Sequence, residues 1–335
     1  MKQNKPIIEF RQDAVSGDWV LISSTLKKKP FFFKHNNARA LPRSLCPFEG
    51  RRLRDQKKLL LWLPKPGKND IEDWWIRIFP NRFPVVAAGS ICPPLEGSRL
   101  GQKKIGIGFQ EVVITRDHDR PIGAMNEKEI ALLLEAYTIR FQALQNEPCV
   151  EYILIFHNAG PRAGATVPHP HSQILAVPIV PPDVARSIRG SKAYYEAHRQ
   201  CVHCSIIRKE KREKHRVIYE NDLFIVMAPY ASHASFEVRI FPKIHEAHFE
   251  VIDARQIAQL SRAMAFVFKR LKNKLKNPDF NFFIHTAPPK AKEYHYHWHI
   301  EIIPRIVILG GVELGIGMDI IKVPPEEAAE LLREK

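Results

Sequence analysis

The chain has 335 residues, 45% hydrophobic and 26% charged, which is long enough for two domains that each bury a sizeable core. No apolar run reaches the roughly 18 residues of a membrane span, and Met1 to Arg11 lacks the apolar stretch of a secretory signal, so a cytoplasmic location is expected. A net charge of +15 implies attraction for anions, and an odd count of five cysteines without an export signal argues against a disulfide framework and for metal ligation.

In chain order, the first marked residues are Cys46 and Glu49 in CPFE, followed by EVVITRDH from Glu111 to His118. A helix is expected over Asn126 to Gln145, with an Asn cap, Glu129 three residues on, and Ile130, Leu133, Leu134, Tyr137, Phe141 and Leu144 at helical spacing. The β-rich run YILIFHNAGPRAG starts at Tyr152, and HPHSQILAVP runs from His169 to Pro178. Pro178, Pro181 and Pro182 then open a polar helical joint that ends near Gln200.

A second series follows. It comprises CVHC (Cys201 to Cys204), EVRIFPKIH (Glu237 to His245), a helix capped by Asp253, NFFIHTAPPKAK from Asn281, and HYHWHIEIIP from His295 to Pro304. The basic tract Lys209 to Arg216 reads as a solvated helix face or loop. A last short helix is expected from Pro325.

Four blocks thus recur in the same order, with His157 matched to His285 and HPHSQ matched to HYHWH. The pattern predicts an α+β fold made by tandem duplication, each unit a mainly antiparallel sheet with one long helix. The units are residues 1–178 and 201–335, joined by a linker over 179–200.

Alternate strand residues share a face, so a strand through the first motif projects His169, His171 and Gln173 together. Imidazole is neutral near pH 7 and leaves again easily, which suits a nucleophile that attacks an α-phosphorus and briefly holds the nucleotide. A departing sugar phosphate leaves without a strong general acid, and a neutral Gln173 amide can donate to a phosphoryl oxygen. Gly160 and Gly164 beside Arg162 allow backbone N–H groups to approach phosphate. Cys201 and Cys204 have the spacing of two zinc thiolates, with His245 and either His297 or His295 available to complete the set. No nucleic-acid-binding module is found, so nucleic acid is the less favoured anion.

HPHSQ, preceded by FHNAGPRAGATVP, resembles the active-site segment of the galactose-1-phosphate uridylyltransferase family, within the histidine-triad superfamily. Similarity extends from DAVSGDWVLIS at Asp13 through NRFPVV at Asn81 to GGVELGIG and the C-terminal helix. The resemblance implies a double displacement between UDP-glucose and galactose 1-phosphate, with His171 as nucleophile and Gln173 as its hydrogen-bonding partner. It implies nucleotide or phosphate contacts for Asn81, Asn158 and Thr166, beside the Gly160 loop, a sugar contact for Glu313, and a substrate cation at Lys29, where the family often has Arg. It also implies a zinc site at Cys46, His118 and His169, with Glu49 in place of a second Cys. Some members hold iron through a Glu after the histidine motif; no matching Glu is found here, and Ser187 stands at that position. An ADP-glucose-type phosphorylase, using inorganic phosphate, is the nearest alternative. Expected partners are nucleotide sugars and sugar 1-phosphates; a homodimer is compatible, and no membrane partner is expected.

Overall fold

The computed structural model describes residues 6–28, 42–54, 56, 58–89, 91–292 and 294–334. Lys29 therefore lies outside the described residues.

The first half supplies β1 (Leu61–Pro64), β2 (Trp74–Pro80), β3 (Phe109–Thr115), β4 (Tyr152–Ala159) and β5 (His171–Val177). The second supplies β6 (Val217–Glu220), β7 (Phe224–Met227), β8 (Val238–Pro242), β9 (Phe280–His285) and β10 (His299–Pro304). They form one ten-stranded sheet in the order β6-β7-β8-β10-β9-β4-β5-β3-β2-β1, every neighbouring pair antiparallel. Each half thus repeats one strand order, and the halves meet where β4 pairs with β9.

The helices are α1 (Glu127–Leu144), α2 (Pro182–His198), α3 (Val202–Glu213), α4 (Ala254–Leu275), α5 (Gly311–Ile316) and α6 (Pro325–Arg333). Helices α1 and α4 begin in complete capping boxes: Asn126 with Glu129, and Asp253 with Gln256. Their apolar stripes, Leu134, Tyr137 and Phe141 on α1 and Leu260, Met264 and Val267 on α4, share one core with Ile155, Ile174, Phe282 and Ile300 of the sheet. One hydrophobic core therefore spans both halves and leaves the opposite sheet face for side-chain chemistry.

Strand pairing corrects the expected alignment of the halves. His169 Nε2 meets the carbonyl of Thr115, the last residue of β3, at 2.6 Å. The residue that meets the last carbonyl of β8, Pro242, is His297, at 3.0 Å. The counterpart of HPHSQ is therefore His297-Trp298-His299-Ile300-Glu301, two residues beyond the expected frame, and His157 corresponds to Ile284 and not to His285. The sheet registers agree: Gln173 lies between Val112 and Phe156, and Glu301 between Arg239 and Phe283. Phe156 and Phe283 are also cross-strand partners, so the pseudo-two-fold axis passes between them.

Ile8–Gln12 pairs with Trp19–Ser23, and Ile320–Ile321 adds in parallel, tying the two ends of the chain together. The joint is helix α2, which crosses the turn between the first two of these strands so closely that a Cβ on Gly190 would lie 1.7 Å from the Val15 carbonyl oxygen. One disulfide is present, Cys92 to Cys149, against the expectation from cysteine count; the chain brings their Cα atoms to 5.0 Å across 57 residues. Arg216, expected in a solvated tract, is buried instead. Glu210 at 2.7 Å and Glu326 at 2.6 Å neutralise it.

Candidate active site

Strand β5 alternates cleanly. Ser172, Ile174 and Ala176 are buried towards the core, whereas His171, Gln173 and Leu175 lie half-buried on the other face. His169 precedes the strand and is fully buried, with Nδ1 3.2 Å from His118 Nδ1 and 3.7 Å from Cys46 Sγ. Beneath the site, Ser172 Oγ joins Tyr137 Oη at 2.5 Å and His157 Nδ1 at 3.0 Å. Burial, helped by nearby His171, pushes His157 down to about 3, so this support is neutral.

The tautomer of His171 follows from its neighbour. Nδ1 lies 2.8 Å from the His169 carbonyl oxygen, which can only accept, so Nδ1 carries the proton and Nε2 the free lone pair. Burial also holds the ring below its ordinary pKa, and it stays neutral. Phe48 packs edge-on against the rings of both His171 and His169. The result is an oriented, uncharged imidazole with its Nε2 lone pair unprotonated.

Polar groups converge around it. Gln173 Oε1 accepts from Gln110 Nε2 at 2.6 Å and from Asn81 Nδ2 at 3.4 Å. Asn158 Oδ1 accepts from Asn281 Nδ2 at 2.7 Å, a contact across the β4–β9 junction. Gly160 and Gly164, each at φ of 85°, bracket the turn Pro161–Ala163. Asp279 receives the Arg162 amide at 2.7 Å and occupies the space a Cβ on Gly160 would need, so glycine is required there. Thr166 is exposed on the loop leading to His169. Glu313 lies on α5, where its carboxylate accepts from its own Gly310 amide at 2.9 Å, and no described contact joins it to β5. The sequence pattern gave no sign of Gln110 or Asn281. Both lie in largely apolar strands and reach the site only through sheet pairing.

The second unit assembles Cys201, Cys204, His245 and His297 with all ligand atoms within 4.8 Å of one another; His295 is not in the group. His245 and His297 donate Nε2–H to the Tyr294 and Pro242 carbonyls at 2.8 and 3.0 Å. That turns each Nδ1 towards Cys204 Sγ, at 3.4 and 3.5 Å. The Cys204 thiol, with both imidazoles behind it, holds Cys201 below the ordinary thiol range despite burial. Two sulfurs and two oriented imidazoles fit a closed tetrahedral zinc site.

Among the described residues, the first unit brings together Cys46, His118 and His169 in this way. Glu49 Oε1 stands 3.6 Å from His118 Nδ1 and 3.8 Å from His169 Nδ1, but also 3.2 Å from Arg43 Nε, so its charge is shared. A third group, His285, His299 and Glu301, offers two imidazoles and a carboxylate. It borders a cavity of about 380 Å³ that Ser187 also lines, and Ser187 adds no carboxylate to it.

Residues 76–181 match the model of the galactose-1-phosphate uridyl transferase N-terminal domain, and residues 210–306 match the HIT domain. The chain is 33% identical to the ADP-glucose phosphorylase of Arabidopsis thaliana, over 97% of this chain and 92% of that protein. It is 28% identical to the galactose-1-phosphate uridylyltransferase of Thermotoga maritima, over 98% of each. Among solved structures, the Arabidopsis ADP-glucose phosphorylase with bound ADP-glucose superposes with a TM-score of 0.82 at 30% identity, covering 98% of this chain and 99% of that one. A uridylyltransferase structure superposes at 0.72 with 24% identity and 98% coverage of both chains.

Proposed function

This chain belongs to the galactose-1-phosphate uridylyltransferase family, and from that premise we propose that it carries a nucleotidyl group on His171 from a nucleoside-diphosphate sugar to a phosphate-bearing acceptor. The observation that carries this reading is the His171 imidazole itself. It is half-buried, neutral, fixed through Nδ1, and has its Nε2 lone pair free.

In the first half-reaction Nε2 attacks the α-phosphorus, and the bond from that phosphorus to the bridging oxygen breaks. The electron pair leaves on the sugar 1-phosphate, whose second pKa near roughly 6 makes it a competent leaving group without a strong acid. In the second half-reaction an acceptor phosphate oxygen attacks the same phosphorus and frees His171. Gln173 and Asn158 supply neutral donors for the phosphoryl oxygens, and Asn81, Gly160, Gly164 and Thr166 border the nucleotide phosphates. Lys29 and Glu313 are assigned to the sugar end by resemblance.

Two donor and acceptor pairs satisfy this chemistry. UDP-glucose with galactose 1-phosphate is the pair the histidine motif implies. The higher identity to ADP-glucose phosphorylase, 33% against 28%, favours ADP-glucose with inorganic phosphate. An exchange assay that crosses UDP-glucose and ADP-glucose with galactose 1-phosphate and phosphate separates them. The expected result is fastest turnover of ADP-glucose with phosphate. Faster UDP-glucose turnover with galactose 1-phosphate restores the first pair, and nucleotide release that needs no acceptor makes the chain a hydrolase.

Zinc fits Cys201, Cys204, His245 and His297, where it would fasten the start of α3 to the ends of β8 and β10. It takes part in no chemical step there. In the first unit a more weakly held zinc would use Cys46, His118 and His169, with Glu49 as a harder fourth ligand.

A further inference from the structure

An amide side chain can present either its oxygen or its nitrogen to a ligand, and only the nitrogen stabilises a phosphoryl oxygen. At Gln173 the choice is settled by groups that have no choice of their own. The Val85 backbone amide can only donate, and it donates to Gln110 Oε1 at 2.7 Å. Gln110 must therefore turn Nε2 to Gln173, which must receive it on Oε1, at 2.6 Å. The Phe83 amide does the same for Asn81, donating to Oδ1 at 2.9 Å and leaving Asn81 Nδ2 for the same Gln173 oxygen. Gln173 Nε2 then has no hydrogen-bond partner among the described residues, on the strand face that Gln173 shares with His171.

Asn158 is set by a separate relay from the second unit. Arg305 Nε, a donor only, bonds Asn281 Oδ1, and the Ala163 carbonyl, an acceptor only, takes Asn281 Nδ2 at 2.8 Å. The same Nδ2 meets Asn158 Oδ1 at 2.7 Å, so Asn158 Nδ2 points away, towards the space that Gly164 leaves by lacking a Cβ. Gln110 and Asn281 are both buried, where an unmatched amide is costly.

We propose that Gln110 and Asn281 are positioning residues that lock the amides of Gln173 and Asn158 with their N–H groups towards the transferring phosphoryl group. This rests on the reading of His171 as the nucleophile. It makes the pocket a one-way array of donors before any substrate arrives, which is the arrangement that stabilises charge developing on a phosphoryl oxygen at no reorganisation cost. It also gives the second unit a direct part in the chemistry of the first, because Asn281 and Arg305 lie in or beside β9 and β10.

The test is single-turnover transfer of labelled nucleotide from an α-labelled nucleoside-diphosphate sugar to the protein. Gln110→Glu keeps the Val85 contact but offers Gln173 an acceptor, so Gln173 must turn its oxygen to the phosphate. Labelling should slow by about 10²-fold, the scale of losing one preorganised donor. Gln110→Leu releases both Gln173 and the Val85 amide without offering Gln173 an acceptor, and should slow it about tenfold. The Gln110→Glu deficit, measured against wild type at each pH, should shrink as pH falls and the introduced carboxyl gains a proton to donate. In a Gln173→Ala background both substitutions should change the rate less than twofold, and Asn281→Asp should slow labelling only while Asn158 is present.

Leucine as harmful as glutamate, or an effect that persists without Gln173, overturns the role of Gln110, and an Asn281→Asp effect that persists without Asn158 overturns that of Asn281. Wild-type protein that takes no label overturns the reading of His171 and the positioning roles with it.

Discussion

The two units are built on one strand order, yet their equivalent faces have opposite chemistry. In the first, His171 and Gln173 on β5 are flanked by Gln110 and Val112 on β3 and Asn158 on β4, all uncharged side chains. In the second, the same positions carry His299, Glu301, Glu237, Arg239 and His285. Arg239 meets Glu237 at 2.8 Å and both Glu301 and Asp13 at 3.5 Å, and His285 meets Glu301 at 3.4 Å. Arg239 and His285 hold Glu301 down to about 2 even though burial works against its charge. A phosphate brought to that face would meet Glu301 where the first unit offers the Gln173 amide. The metal groups differ in the other direction, four well-oriented ligands in the second unit against three and a shared carboxylate in the first. On the proposed function the duplicated fold has divided its tasks: one copy keeps a neutral, donor-lined face for an anion, and the other spends the same positions on self-compensating charge, with its four-ligand Cys/His group lying elsewhere in the unit.

The largest effect that sharpens this contrast concerns the metal groups. Cys201→Ser with Cys204→Ser should remove one tightly held zinc per chain and lower the melting temperature by roughly 10 °C, since a structural zinc is worth several kcal/mol of folding. Cys46→Ser should cost clearly less. Metal analysis by mass spectrometry beside thermal melts checks both, and freshly purified native protein without zinc would remove the claim.

Next in size is the partition between transfer and hydrolysis. Gln173→His places a proton shuttle beside the intermediate and should raise nucleotide hydrolysis relative to transfer by about tenfold. Glu301→Gln, at the matching position of the second unit, should leave that ratio where it was. The measurement is nucleoside monophosphate release against transfer product at equal substrate, and an unchanged ratio in Gln173→His would reduce Gln173 to substrate positioning alone.

The smallest effect is a pH dependence that belongs to the second unit only. Burial opposes charge on His233, but Asp319 at 2.8 Å and nearby Glu237 and Glu301 outweigh it and Arg239, raising His233 to about 9. A raised folded pKa means stability fully present below the unfolded value near 6.5 and lost as pH climbs towards 9. Thermal melts should therefore fall across that window by a few degrees more in wild type than in Asp319→Asn. Parallel curves for the two proteins would show that the pair does not titrate with folding.

Much of the fold was legible because the signals were local. The caps at Asn126 and Asp253, the apolar stripes of α1 and α4, and Pro325 at the first turn of α6 are each written within a few residues. The register between the halves was not, because HYHWHIE contains the triad spacing twice, and the bond from His297 to the Pro242 carbonyl and the strand pairing of Glu301 decide between the frames. The Cys92–Cys149 disulfide and the amide relays through Gln110 and Asn281 depend on residues brought together by sheet pairing and loop closure, so no spacing in the chain announces them.

The division of labour is tested most directly by where the nucleotide becomes attached. Protein incubated with an α-labelled nucleoside-diphosphate sugar and no acceptor, then digested and mapped by mass spectrometry, should carry one acid-labile nucleotidyl group on His171. His171→Ala should abolish it, and His299→Ala should retain it at His171. Label on His299, label that survives mild acid, or label that persists in His171→Ala would contradict the assignment of the chemistry to the first unit.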